Sequence, residues 1–316
     1  LYNVMIDAYG KHGDIEEALQ LYRQITEKGI FPSVVTFNSL IYGLCADGMV
    51  DQAINLLHTI KLHGLVPNAV TYTTIMNVFA EGGDLLNVMA LLQEMKRNNV
   101  KPSHITYTVL IKAYCREWKL QEALYFLEEM KAEGLTPDAI TYNIITWHLC
   151  KSKNLSGAFS LVEEMLTHNL QPTPATYNIL IHGLCVCGDL RSANKLLISL
   201  QQEMNVKLTK VAYTTLIKAY CAKSGDIERA VVLFHQMLEN GFDVSIRDYS
   251  AVINRLCKRN FVVEAKYFLQ MMLCNDVFPD WDICHMMITT LHSNSHFDQV
   301  AELLAIAIKF GCIVES

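Results

Sequence analysis

Six cysteines, Cys45, Cys115, Cys150, Cys185, Cys221 and Cys257, stand 35 or 36 residues apart, with one interval doubled. Thiolates are strong nucleophiles and soft metal ligands, so catalysis and zinc are the first chemistries to weigh. Zinc sites draw on closely spaced pairs such as Cys-x-x-Cys, and the chain has none; Cys185 and Cys187 alone do not make one. The eleven histidines are scattered, without the His-x-Glu and Cys-x-x-Cys arrangement with which a nucleobase deaminase activates water. No Gly-rich phosphate loop and no nucleophile elbow occurs. The periodic cysteines read as small packing residues, and the sequence predicts no enzyme, no cofactor and no metal.

Selective chemistry of another kind is available once per period. Asn38, Thr73, Thr108, Asn143, Asn178 and Thr214 are small donors and acceptors, and each follows an aliphatic residue by three positions: Val35, Val70, Ile105, Ile140, Ala175 and Val211. On a helix at 100° per residue these two rows, with Tyr42 and its equivalents, centre about 130° from the apolar stripe, so they are not core. An aliphatic wall beside an amide or hydroxyl suits a ladder of flat polar rings, each sandwiched by the aliphatics and probed at its edge. The competing role for Asn and Thr is helix capping, which is the expectation for Thr36, Thr71, Thr106, Thr141 and Thr176 just ahead of each aromatic.

A ladder needs a scaffold that repeats. Pro32, Pro67, Pro102, Pro137 and Pro172 are 35 residues apart, and Tyr2, Phe37, Tyr72, Tyr107, Tyr142 and Tyr177 keep the same phase. The expected units are a partial 1–33, then 34–68, 69–103, 104–138, 139–173, 174–209, 210–245, 246–280 and 281–316, with one extra residue in 174–209 and in 210–245. Phe37, Leu40, Ile41 and Leu44 share one helix face, and Val50, Ala53, Ile54 and Leu57 share that of a second. Each unit is thus a predicted helical hairpin, with Asp14 and Asp84 placed to cap second helices. Gly29, Gly64, Asn99, Gly134 and Asn169 end those helices in a left-handed conformation. A lone hairpin cannot bury both faces, so the expected fold is all-α: a single right-handed α-solenoid of stacked helix-turn-helix repeats.

Val-Thr-Tyr-Thr-Thr-Ile-Met at 70–76, Ile-Thr-Tyr-Asn-Ile-Ile at 140–145, Ala-Thr-Tyr-Asn-Ile-Leu-Ile at 175–181 and Glu-Glu-Met-Lys-Ala-Glu-Gly-Leu-Thr-Pro-Asp at 128–138 carry a family likeness. In them the chain resembles the pentatricopeptide repeat family in its plain form of uniform 35-residue motifs. The tetratricopeptide repeat shares the hairpin but runs at 34. The resemblance spans the whole chain, is most specific through residue 245 and weak beyond 280.

That resemblance implies sequence-specific binding of single-stranded RNA, one base per repeat, in organellar RNA processing, stability, splicing or translation control. It places the protein in a mitochondrion or chloroplast, the mitochondrion slightly favoured, in a plant. Base choice would rest on the Asn/Thr row together with the last residue of each unit. The pairs are Asn3/Ser33, Asn38/Asn68, Thr73/Ser103, Thr108/Asp138, Asn143/Thr173, Asn178/Thr209, Thr214/Ser245 and Ser250/Asp280. In similar proteins Thr or Ser with Asp favours G, Thr with Ser leans to A, and Asn favours pyrimidines, which gives a target like 5′-YYAGYYAG. Val35, Val70, Ile105, Ile140, Ala175 and Val211 would sandwich the bases. Lys11, Arg116, Lys151 and Lys258, ending first helices, would hold phosphates, with Lys112, Lys218 and Lys223 nearby and Tyr42 and Trp147 available to stack.

Composition agrees with such a scaffold. With 51% hydrophobic and 18% charged residues the chain has material for a core, and disorder is not expected. No apolar run approaches the roughly 18 residues of a membrane helix, so no membrane role is expected. The ten cysteines fit a reducing compartment. A net charge of −6 speaks against coating nucleic acid by bulk charge; the acidic residues, among them Glu94, Glu129 and Glu164, lie largely on second helices and are expected to face away. Arg247, Asp282 and His285 break the aliphatic and Asn/Thr rows, so sandwiching should fade after residue 245 and 281–316 should cap the stack. The chain opens inside a repeat at Leu1, as a fragment whose targeting sequence lies upstream would. A monomer is expected, with other RNA-processing proteins as further partners. The rival reading is a helical-repeat scaffold for protein–protein interaction.

Overall fold

The computed structural model describes residues 2–202, 209–224 and 226–293; the side chains of Asn3, Lys11 and Lys223, and residues 294–316 of the expected cap, lie outside the described set. Among the described residues helix is the only regular structure. The helices come in pairs: α1 (Tyr2–His12) with α2 (Ile15–Glu27), α3 (Val34–Ala46) with α4 (Val50–Leu62), α5 (Ala69–Gly82) with α6 (Leu85–Arg97), and α7 (His104–Arg116) with α8 (Leu120–Ala132). There follow α9 (Ala139–Lys151) and α10 (Leu155–Thr167), α11 (Pro174–Cys187) and α12 (Leu190–Gln202), α13 (Lys210–Ala219) and α14 (Ile227–Glu239), α15 (Ile246–Lys258) and α16 (Val262–Cys274), then α17 (Trp281–Ser293).

The chain packs as two compact units, Leu1–Leu149 with Ser160–Gln171, and Cys150–Phe159 with Pro172–Ser316. In the first, α1, α3, α5 and α7 pack each on the next, and each also packs on its own second helix. In the second, α11, α13, α15 and α17 likewise pack each on the next, and α11, α13 and α15 each pack on their own second helix. The aromatic row is the core of this stacking: Phe37, Tyr72, Tyr142, Tyr213 and Tyr249 are at most 1% exposed.

Local sequence sets the helix ends. Ser33, Asn68, Ser103 and Thr173 are N-caps, each accepting a hydrogen bond from the backbone N–H of Thr36, Thr71, Thr106 and Thr176 in turn. The threonine hydroxyls accept back from the cap N–H, at 3.0–3.2 Å, so two otherwise orphaned donors are satisfied per helix. The threonines therefore do cap, but from the third helical position; the cap itself is the last residue of the preceding unit. Asp84 caps α6 through Asn87 N–H at 3.1 Å, whereas Asp14 makes no such bond to α2. Gly29, Gly64, Gly134, Asn99 and Asn169 all have positive φ, the left-handed turn that ends a second helix. Trp118 takes φ 58° where other units put Gly13, Gly48, Gly83 and Gly188; its ring meets the edge of His148 at 5.5 Å.

One of the two longer units shows where its extra residue is absorbed. In 210–245 it lies inside the first helix, which ends in a π-helical segment, Tyr220–Ser224, as one inserted residue should produce. Tyr220 is buried there and donates its hydroxyl to the Leu190 carbonyl at 3.2 Å.

Adjacent first helices approach closely at Gly43. A Cβ there would lie 2.7 Å from Ile15 Cδ1 and 3.2 Å from Gly10 Cα, the latter backbone. Gly43→Val is expected to destabilise the first unit by about 1–3 kcal/mol; chemical denaturation would show it as a lower midpoint with an unchanged slope.

The acids on second helices are not simply solvated. Tyr72 donates to Glu94, Tyr107 to Glu129 and Tyr142 to Glu164, at 2.9–3.2 Å. Each of these carboxylates also pairs with a lysine of the preceding second helix: Lys61, Lys96 and Lys131 respectively. Burial, then these acceptors, raises the Tyr107 and Tyr142 hydroxyls above the usual phenol range.

Candidate nucleic-acid interface

Because side chains on a helix project by position, the aliphatic row should sit outside the core, and it does. Val35, Val70, Ile105, Ile140 and Val211 are 54–62% exposed, and Ala175 is exposed as well. A row of exposed apolar side chains, one per repeat, has a hydration cost that folding alone does not remove. Two successive members, Val70 and Ile105, flank an open groove of about 680 Å³. Thr73 and Ser103, a row residue and the last residue of its own unit, both line it, as do Tyr42, Asn77 and Glu81.

The paired polar residues meet, directly or through one threonine, in four of the eight pairs. Asn38 Nδ2 donates to Asn68 Oδ1 at 3.2 Å. Thr73 and Ser103 are joined through Thr106, whose hydroxyl lies 2.8 Å from the first and 3.1 Å from the second. Thr108 and Asp138 are joined through Thr141, at 2.8 Å on each side. In the second unit Thr209 donates directly to Asn178 Oδ1 at 2.9 Å. Asn143 is half-buried in the first unit, and Thr173 caps α11 in the second.

The last two pairs are built otherwise. Thr214 donates to the Val211 carbonyl, and Ser245 donates to Asp248 Oδ2 at 2.7 Å, so no hydrogen bond joins them. Asp248 stands where five earlier units have threonine and is also held by Lys210 Nζ at 2.6 Å; despite burial, these donors lower its carboxyl below the usual range. Asp280 accepts from the Ile283 N–H, and Ser250 is not bonded to it. Ser33 caps α3; the Asn3 side chain is outside the described residues.

Arg116, Lys151 and Lys258 are exposed at the ends of their first helices, while Lys11 is outside the described side chains. Glu81 occupies the same slot in its unit with the opposite charge. Lys112 Nζ answers it at 2.9 Å and reaches Asn77 Oδ1 at 3.4 Å, so Lys112 is engaged across the groove. That hydrogen bond, then the ammonium charge, holds the Glu81 carboxyl below its ordinary value. Lys218 is half-buried, and its carbonyl accepts from Arg255 Nη1 at 2.5 Å. Tyr42 and Trp147 are 51% and 38% exposed.

Five of the six periodic cysteines lie buried in the packing, while Cys45 is half-buried and lines the groove. Cys115, Cys150 and Cys221 are fully buried, which pushes their thiols up to about 12, 11 and 11. Such thiols are not thiolates at neutral pH. Among the described residues no helix is long and apolar enough to cross a membrane.

What the sequence missed is the bridging role of Thr71, Thr106 and Thr141. Their recurrence ahead of the aromatic was visible, but spacing within one helix cannot show that they touch the previous unit's first helix.

Comparison with known proteins places these features in one family. The PPR repeat family model matches seven overlapping segments, 1–46, 32–81, 67–116, 103–150, 141–186, 176–222 and 208–258, and a PPR repeat model matches 248–277. A pentatricopeptide repeat-containing protein of Arabidopsis thaliana is 49% identical over 61 residues, which is 19% of this chain and 6% of that protein. The crystal structure of the pentatricopeptide repeat protein PPR10 from maize superposes with a TM-score of 0.84 at 23% identity, over 96% of this chain and 43% of that one. PPR10 in complex with an 18-nt psaJ RNA element gives 0.76 at 23% identity, over 98% and 45%. The chain thus spans under half the length of PPR10, whose right-handed α-solenoid fold it shares. With repeat models matched continuously from residue 1 to 277, the chain belongs to the pentatricopeptide repeat family.

Proposed function

We propose that the chain binds single-stranded RNA sequence-specifically, each complete repeat addressing one base. The groove between Val70 and Ile105 carries the reading: two exposed aliphatic walls about a polar floor of Thr73 and Ser103. A base inserted there covers the aliphatics and offers its Watson–Crick edge to the hydroxyls. That the related PPR10 has been crystallised with an 18-nt RNA element supports the same ligand class. Taken from the amino to the carboxyl end along 5′ to 3′, the pairs address 5′-YYAGYYAG. Arg116, Lys151 and Lys258 meet the phosphates. The protein acts as a monomer on transcripts of a plant mitochondrion or chloroplast, in processing, stability, splicing or translation, alongside other RNA-processing proteins.

Selection from a randomised RNA pool, read by sequencing, tests this. Enrichment of a single motif of about eight nucleotides with the YYAG order supports the reading. Enrichment of no motif would sink it and favour a protein-binding scaffold.

A further inference from the structure

In three successive units the hydroxyl that joins the reading pair belongs to the following repeat, and it has only one proton to give. We infer that Thr106 and Thr141 are positioning residues that set the hydrogen-bond polarity of the pair in the unit before them, and so set which base edge that pair accepts. The inference rests on the RNA-reading function proposed above.

Ionised Asp138 only accepts, so the Thr141 hydroxyl, 2.8 Å from Asp138 Oδ1, must donate to it. The 2.8 Å contact between Thr108 and Thr141 then requires Thr108 to be the donor, with the His104 carbonyl as a second acceptor at 3.0 Å. Thr108 has spent its proton inward. The unit 104–138 faces its ligand with acceptors alone, which match the N1–H and N2–H donors of guanine and oppose the N1 acceptor of adenine.

The unit 69–103 ends in a hydroxyl instead. Thr106 Oγ1 already accepts from the Ser103 N–H at 3.0 Å. Its proton points either to Ser103 or to Thr73, and the remaining contact runs the other way. This chain of three hydroxyls is reversible and presents one donor and one acceptor in either sense, which suits adenine and discriminates less sharply. In 34–68, Thr71 donates to Asn38 Oδ1 at 2.6 Å and Asn38 donates to Asn68 Oδ1, which fixes the amide's orientation and leaves its second N–H for the ligand. Where the threonine is replaced by Asp248 or Ile283, the relay is gone, and the pairs Thr214/Ser245 and Ser250/Asp280 are not held in this way.

The test uses the whole chain and two synthetic RNAs, 5′-UUAGUUAG and the same RNA with its first G changed to A. The wild type prefers G by about fivefold or more, the scale of one good hydrogen-bonded pair. Thr141→Val, which keeps the shape and removes the hydroxyl, should reduce that preference to within about twofold, while Thr141→Ser restores it. Preference at the second nucleotide, tested with a U-to-G change, should stay as in wild type and shows that the variant is folded. A wild type that does not distinguish the first RNA from a scrambled one refutes the RNA-reading function itself. A wild type that does distinguish them, with Thr141→Val retaining its preference for G, overturns the positioning role alone.

Discussion

Replacing Tyr72 by alanine is expected to destabilise the first unit by about 3–5 kcal/mol, the range for truncating a large buried aromatic. The ring is fully buried between hairpins, so its removal leaves a cavity that two backbone stacks must share. Its hydroxyl also donates to Glu94 and accepts from Asn98 Nδ2 at 2.7 Å, which ties first helix to second within the unit. Tyr72→Phe separates the two effects and should lose only about 1–2 kcal/mol. Because a repeat stack is stabilised through nearest neighbours, the loss should be local. Hydrogen exchange should show weakened protection in α3–α8 and unchanged protection in α13–α16. Uniform loss of protection along the chain would contradict a quasi-one-dimensional stack.

The second large effect concerns the groove. Val70→Asp with Ile105→Asp puts carboxylates on both walls, where a base would stack and phosphates would approach. Stacking is worth about 1–3 kcal/mol per base, and added negative charge opposes the RNA further, so the double variant should bind the selected RNA about 100-fold or more weakly. Both residues are more than half exposed, so folding should survive, and the thermal midpoint should barely move. The paired control is Leu86→Asp on α6, a still more exposed apolar residue, 86% exposed, outside the row. Its RNA affinity should stay within about threefold of wild type. Equal losses in the two variants would remove the groove from the interface.

Much of this was legible in the sequence because repetition multiplies each signal. The 35-residue phase of Pro, Tyr and Gly/Asn places the described hairpins, and the angle between the Val35 and Phe37 rows distinguishes exposed face from core without any structure. Other features depend on contacts between repeats that lie far apart in sequence. Thr106 looks like a capping residue and is one, but its second contact, to Thr73, spans 33 positions. The Lys61–Glu94–Tyr72 ladder joins two second helices to a first in the same way. The π-helical segment at Tyr220–Ser224 was signalled by one surplus residue; whether that residue would enter a helix or a link could not be read from length alone. Glu81 was visible as an acid in a basic slot, and only the fold brings Lys112 to it.

The central claim is that one repeat addresses one nucleotide through the Asn/Thr row. Its most direct measurement is the randomised-pool selection repeated with Thr108→Asn beside the wild type. The account predicts that the enriched motif changes at a single position, from G to a pyrimidine, while every other position is retained. A motif altered at several positions, or left unchanged, would contradict it.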